Sequence, residues 1–197
     1  MVTPGDDRRA IHEECSRIDA AFRAGDVDAL RAALGNPVDF PNSPLPIASF
    51  GPAGTCLEYA IYHSPLAFIS TLLDLGADPN PPAHVHAGFP PLHAALSKAR
   101  SVPGSAARPD VNDILTLLLA HGCDPNQRGL NDWTPLHMAV VACSVEATRI
   151  LLAGGADPTL RTRIDDELTA REEAERGGLH EIAALVAAHE TKHRGSR

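Results

Sequence analysis

The sequence predicts an all-α protein made of short helix pairs repeated along the chain, and three observations carry that reading. Only 4% of the 197 residues are aromatic while alanine and leucine abound, which suits thin, closely stacked helices better than a broad sheet sandwich. Apolar residues recur at helical spacing, as in Ile11, Cys15, Ile18, Ala21 and Phe22, which share one stripe. The stretch Asn131 to Thr159 is a complete unit, Thr134-Pro-Leu-His-x-Ala139, then an apolar run through Arg149-Ile-Leu-Leu, then Gly154-Gly-Ala-Asp-Pro, and looser copies of it precede and follow.

Composition bounds the function. An apolar fraction of 44% with 21% charged residues is ordinary for a soluble globular chain. A net charge of -8, with Lys98 and Lys192 the only lysines, argues against a nucleic-acid stripe or an anionic membrane patch, both of which need clustered cations; basic partners are electrostatically easier. The 15 arginines beside those two lysines point to a GC-rich bacterial coding sequence, an inference about codons rather than physics. Neither a signal peptide nor an apolar run long enough to span a bilayer is present, so a cytoplasmic location is expected; separately, the chain is read as a monomer. Cys15, Cys56, Cys123 and Cys143 lie 41, 67 and 20 residues apart, which fits free thiols and no disulfide framework.

Taken in order, residues 1–10 are expected to be a flexible start, residues 11–190 one repeat domain and residues 191–197 a frayed tail. The units fall at about 11–42, 51–82, 86–128, 130–160 and 165–189. The first has a long helix to Ala24, a break at Gly25, a second helix from Val27 to Leu34, and Pro37 to Asn42 where the complete unit has its Gly-Ala-Asp-Pro loop. Pro44, Pro46 and Pro52 make Asn42 to Ala53 an ordered excursion rather than a helix. The second unit opens at Thr55-Cys-Leu-Glu-Tyr-Ala60, and Gly76 follows Thr55 by 21 residues as Gly155 follows Thr134. The third opens at Pro90-Pro-Leu-His93 and closes at Gly122, but 32 residues separate Pro90 from Gly122; the surplus falls at Ala99 to Pro109, a mobile loop by composition. Gly122 to Gly155 restores a period of 33. The fifth aligns through Thr169-Ala-Arg-Glu-Glu-Ala174, with Gly178 in the place of Cys143, and its charged first helix suits the end of a stack.

The recurring residues serve helix ends. Thr134 offers a hydroxyl to the orphan N–H groups of the first turn, Pro135 presets that turn, and Gly76, Gly122 and Gly155 suit the left-handed backbone after a helix.

Thr134-Pro-Leu-His-x-Ala139, its relatives at Thr55 and Pro90, and the Gly-x-Asp-Pro loops at Gly76, Gly122 and Gly155 resemble the ankyrin repeat over about residues 16 to 189. The resemblance implies an ankyrin-repeat solenoid of about five helix-turn-helix repeats with finger loops, in which the motif histidines His93 and His137 tie loop to loop. It also implies a non-enzymatic scaffold that binds another protein through its fingers and the exposed face of its first helices. Carried over by position, the fingers are Gly51, Pro52 and Gly54, then His86, Ala87 and Phe89, then Leu130, Asn131 and Trp133. The groove side adds Arg23, Tyr62, His63, Ser97, Lys98, Val141 and Ala142. Tyr62, Phe89 and Trp133 are aromatic anchors in this reading; the plainer alternative is that Phe89 and Trp133 pack on a neighbouring finger.

Two rivals stay open. One is an inhibitor or immunity protein that plugs a toxin or enzyme. The other is a metal- or thiol-dependent enzyme or sensor, drawing on His84-x-His86 as ligands, on Cys123, or on Cys56, whose place at a helix start could lower its thiol pKa. Neither pattern matches a familiar zinc spacing or brings a general base, so no catalytic residue, metal or cofactor is expected. Glu172, Glu173 and Glu175 are read as a solvated face shared with Arg171 and Arg176.

Overall fold

In the computed structural model, residues 4–46, 54–82, 88–99, 106–129, 132–163 and 167–195 are described. They contain ten helices: α1 (Pro4–Ala24), α2 (Val27–Ala33), α3 (Cys56–His63), α4 (Leu66–Asp74), α5 (Pro91–Ser97), α6 (Val111–Ala120), α7 (Pro135–Val141), α8 (Val145–Ala153), α9 (Ala170–Arg176) and α10 (His180–Gly195). Strands are absent among these residues, the one extended pairing being an antiparallel bridge between Arg161 and Thr169. The all-α class and its helix pairs are as the sequence predicts. Helix extends to Pro4 and to Gly195, into both stretches read as flexible ends. The chain forms two compact units, residues 1–88 and 89–197.

In unit 1, α1 packs on α2 and α3, and α3 packs on α4. Ile18, Phe22, Leu30, Ile61, Ile69 and Leu72 are fully buried between them. Phe22 lies at the centre, 4.6 Å from the Tyr59 ring and 6.0 Å, edge on, from Phe68. Ile11 departs from the expected stripe and is 40% exposed. The reason is length: α1 has 21 residues and α2 only 7, so the early turns of α1 outrun the helix packed beside it.

Unit 2 has two layers. The first helices α5, α7 and α9 lie side by side, and the second helices α6, α8 and α10 do likewise, with short turns closing the α7–α8 and α9–α10 pairs and a longer connection joining α5 to α6. Leu92, Ile114, Leu115, Leu136, Ala139, Leu151, Ala174 and Val186 fill the space between the layers. Register holds at the turns: Cys143 and Gly178, matched by the sequence, both take the left-handed backbone, at φ 54° and 69°.

One asparagine device serves both units. The Asn42 side chain donates to the Gly76 carbonyl at 2.9 Å and accepts from the Asp78 N–H at 2.8 Å. Asn126 does the same to Gly155 and Asp157, at 3.4 and 2.8 Å. Pro37 to Asn42 therefore performs the loop's work despite lacking its sequence.

The surplus in the third unit is tethered at its base. Residues 100–105 lie outside the described residues, but the Arg108 N–H donates to the Lys98 carbonyl at 2.9 Å, joining the two sides. The Arg108 guanidinium also makes a two-pronged bond to Asp110, 2.8 and 2.7 Å. That pairing holds the Asp110 carboxyl below its usual range and uses the side chain that would otherwise cap α6.

Candidate partner-binding site

The fingers of unit 2 are fixed by hydrogen bonds made from helix starts. His93 Nε2 lies 2.8 Å from the Trp133 carbonyl, which also accepts the Gly129 N–H at 2.9 Å. His137 Nε2 lies 3.0 Å from the Leu168 carbonyl. A carbonyl only accepts, so each Nε2 carries the proton and each Nδ1 a lone pair. The family role expected of these histidines is the one seen. Close approach sets the intervening residue: a Cβ on Gly129 would come 2.6 Å from His93 Cδ2. Arg128 reinforces the same finger, donating to the Asp132 carbonyl at 2.7 Å, to its carboxylate at 2.6 Å, and to the Arg161 carbonyl in the next finger at 2.9 Å.

The role expected of Thr134 is corrected. Its hydroxyl makes no cap to α7; it lies 2.8 Å from His137 Nδ1 and donates to that lone pair. Thr55 and Thr169, whose third helical residue is a glutamate, do cap, accepting from the Glu58 and Glu172 N–H groups. The histidine ring at this position thus competes successfully for the hydroxyl. Where Pro90 replaces the threonine, His93 Nδ1 is buried without a hydrogen-bond partner among the described residues. Burial pushes both imidazoles below the ordinary histidine value and keeps them neutral.

Upon this frame sit the proposed contacts. Phe89 is 37% exposed and Val141 39% exposed, while Trp133 is half-buried with its indole ring 6.4 Å from the His137 ring. Ser97 and Lys98 end α5 and are partly exposed, with the Ser97 hydroxyl donating back to the Ala94 carbonyl at 2.7 Å. Phe89, Trp133 and Leu168 each stand one residue before a helix cap, a position that often carries an apolar staple. Leu168 was missed in the sequence because finger positions were carried over only to the second, third and fourth units.

In unit 1, Tyr62 and His63 are partly exposed at the end of α3, His63 stacking against Tyr59 at 4.5 Å. Sequence reasoning missed Tyr59, whose hydroxyl donates to Asp19 at 2.7 Å, while Arg23 pairs with the other Asp19 oxygen at 2.7 Å. Burial raises the Asp19 carboxyl, and the bonds from Arg23 and Tyr59 outweigh it, leaving a net lowering. Glu58 stands where the third and fourth units have histidine and is buried, its carboxylate lying close against Gly54 and Gly88. His86, Leu130 and Asn131, together with Gly51, Pro52, Ala87 and His84, lie outside the described residues.

The lowered thiol pKa on which the enzyme or sensor rival drew at Cys56 is not found. The side chain is fully buried, and burial pushes its thiol up to about 12, so the helix start does not activate it. Cys123 is also buried. Among the described residues no group of three or more potential metal-ligating side chains is assembled. The glutamates of α9 form the expected paired face, Arg171 with Glu175 at 2.8 Å, Arg176 with Glu173 at 2.5 Å, and Arg161 with both oxygens of Glu172 at 2.8 and 2.9 Å.

Helix pairs joined by histidine-pinned fingers define a repeat scaffold. A family model for ankyrin repeats, three copies long, matches residues 84–162 and 104–193, together more than half of the chain. The chain belongs to the ankyrin-repeat family, whose members generally serve as protein–protein interaction modules. Among curated relatives, human (Homo sapiens) BCL-6 corepressor-like protein 1 is 38% identical over 77 residues, 39% of this chain and 4% of that protein. A mitochondrial disaggregase of Bos taurus is 35% identical over 81 residues, 41% of this chain and 12% of that protein. The chain thus spans a small fraction of the length of either relative.

Proposed function

We propose that the protein binds another protein through the finger residues and first-helix ends of unit 2, with Phe89, Trp133 and Val141 as anchors and Ser97 and Lys98 as polar contacts. The observation that carries this reading is the exposure of Phe89 before α5 and of Val141 at the end of α7, with Trp133 on a finger whose backbone is held by His93 and Arg128. Large apolar side chains on a preorganised frame lose little entropy on binding, which favours their use as anchors. Tyr62 and His63 of unit 1, and His86, Leu130 and Asn131, are further contacts by family position. The net charge of -8 favours a partner with a basic patch, felt chiefly in association rate and salt dependence. The scaffold needs no catalytic group, metal or cofactor. Among the described residues no helix is long and apolar enough to cross a membrane.

Affinity capture from host lysate tests the reading with the wild type and a Phe89→Ala/Val141→Asp double variant of equal thermal stability. A protein retained by the wild type and lost by the variant supports it. Retention unchanged by the variant places the interface elsewhere.

A further inference from the structure

Between α1 and α2 of unit 1 lies an open groove of about 460 Å³, lined among others by Arg17, Ala20, Ala24, Asp26, Ala29 and Ala32. Its four alanines named here are exposed. Its two charges stand at opposite corners. Arg17 heads the α1 side, about two turns before Ala24. Asp26 stands on the α2 side next to Ala24, because the chain turns back at Gly25 and the Asp26 N–H donates to the Ala21 carbonyl at 3.0 Å. Arg17 differs from its neighbours on α1. Arg9 pairs with Glu13 at 3.3 Å and Arg23 with Asp19 at 2.7 Å, so the carboxylate one turn before Arg17 is already engaged, and Arg17 makes no ion pair among the described residues. Asp26 makes none either, one of its oxygens accepting the Ala29 N–H as the cap of α2. The two arginines of α9, by contrast, are each paired with a glutamate.

We propose that this groove is a self-association face: the groove of a second copy seats on it across a two-fold axis, and each Arg17 meets Asp26 of the second copy. The complementarity is geometric. A two-fold axis lying in the plane of the face, along the diagonal from Ala24 to Ala32, exchanges the Arg17 corner with the Asp26 corner. Both ion pairs then form at once, as an isologous contact requires. The same operation crosses the helices at a steep angle and brings alanine against alanine, where small side chains let two helix pairs approach closely. Other occupants match the face less well. An uncharged apolar helix leaves both Arg17 and Asp26 unmatched, and a surface of one sign satisfies one of them while repelling the other. The contact is small, so association is weak and concentration-dependent. This departs from the monomer read in the sequence. Because it uses only α1 and α2, it stands independently of partner binding by unit 2.

Sedimentation velocity on the full chain, from about 1 µM to about 1 mM at low salt, tests it. The wild type, 20.8 kDa as a monomer, is expected to shift towards twice that mass as concentration rises. Arg17→Asp sets like charges together at both corners and should weaken association about tenfold. Arg17→Asp/Asp26→Arg re-forms both pairs with their signs reversed and should restore it. Asp26 also caps α2, so Ala24→Arg supplies a variant that leaves the cap intact. Residue 24 is exposed in the free chain but lies on the proposed axis, where the new arginine would face its own copy and should abolish association. Thermal melts establish that each variant is folded; should loss of the cap unfold the double variant, Arg17→Asp and Ala24→Arg decide alone. A wild type that stays monomeric throughout, association left unchanged by either of those two variants, or a folded double variant that associates no better than Arg17→Asp would each overturn the proposal.

Discussion

The Thr134 hydroxyl lies 2.8 Å from His137 Nδ1 rather than over the first turn of α7, so a residue type normally associated with helix capping here satisfies an imidazole. Removing it tests that assignment. Thr134→Val leaves His137 Nδ1 buried and unpartnered, and should cost about 1–3 kcal/mol in urea unfolding. Pro90→Thr supplies the missing hydroxyl at the equivalent site and should gain about 1 kcal/mol, the new bond outweighing the lost stiffness of proline.

Gly129 is set by distance and not by dihedral angle, its missing Cβ leaving room for the His93 ring. Gly129→Ala should push the ring and finger apart and lower unfolding free energy by about 1–3 kcal/mol. A urea melt followed by Trp133 emission reads both the stability and the local change.

Stability should fall on acidification before the carboxylates titrate. His93 and His137 both lie below their ordinary value of 6.5 in the folded chain, so between the two values the unfolded chain binds more protons. Their contribution is therefore complete above about pH 6.5 and declines as the pH drops below it. Asp19 and Asp110 are lowered from 3.8, so their contribution is present above that value and lost as the pH falls past it. Chemical denaturation from pH 8 to 3 should show the earlier decline, and a His93→Gln/His137→Gln variant should flatten it while keeping the later one.

Three of the four thiols should separate by exposure. Cys143 is exposed and should react with Ellman's reagent in the native protein; Cys56 and Cys123 are buried and should react only on unfolding. Cys143 also holds a left-handed backbone at φ 54°, where the fifth unit has Gly178. Cys143→Gly should remove the fast-reacting thiol and raise stability by about 0.5 kcal/mol, since relief of strain exceeds the extra freedom given to the unfolded chain.

The repeat frame was legible because period and punctuation are local: Gly76, Gly122 and Gly155 stand where chain spacing places them, and the helices start at or beside the residues that open each motif. The finger pins were legible only through family resemblance, since the bonds from His93 to Trp133 and from His137 to Leu168 join residues 40 and 31 positions apart. What escaped depends on competition between partners in space. The hydroxyl of Thr134 had two suitors, a backbone N–H and a ring nitrogen, and the sequence does not rank them. Cys56 lies at a helix start, which favours a thiolate, yet it is wholly buried, and burial prevailed. Tyr59 fell on the variable position of its motif, and its bond to Asp19 spans 40 residues with no sequence signature.

The bond from the Arg108 N–H to the Lys98 carbonyl closes the foot of the surplus in the third unit before that chain meets either helix. Lys98 and Arg108 are thereby held side by side at the ends of the segment that joins them, and the Arg108 to Asp110 pair ties that seam to the start of α6. The segment is in effect an exchangeable cassette: its length and chemistry can drift over evolution, or be replaced by a grafted peptide, while the repeats on either side keep their spacing.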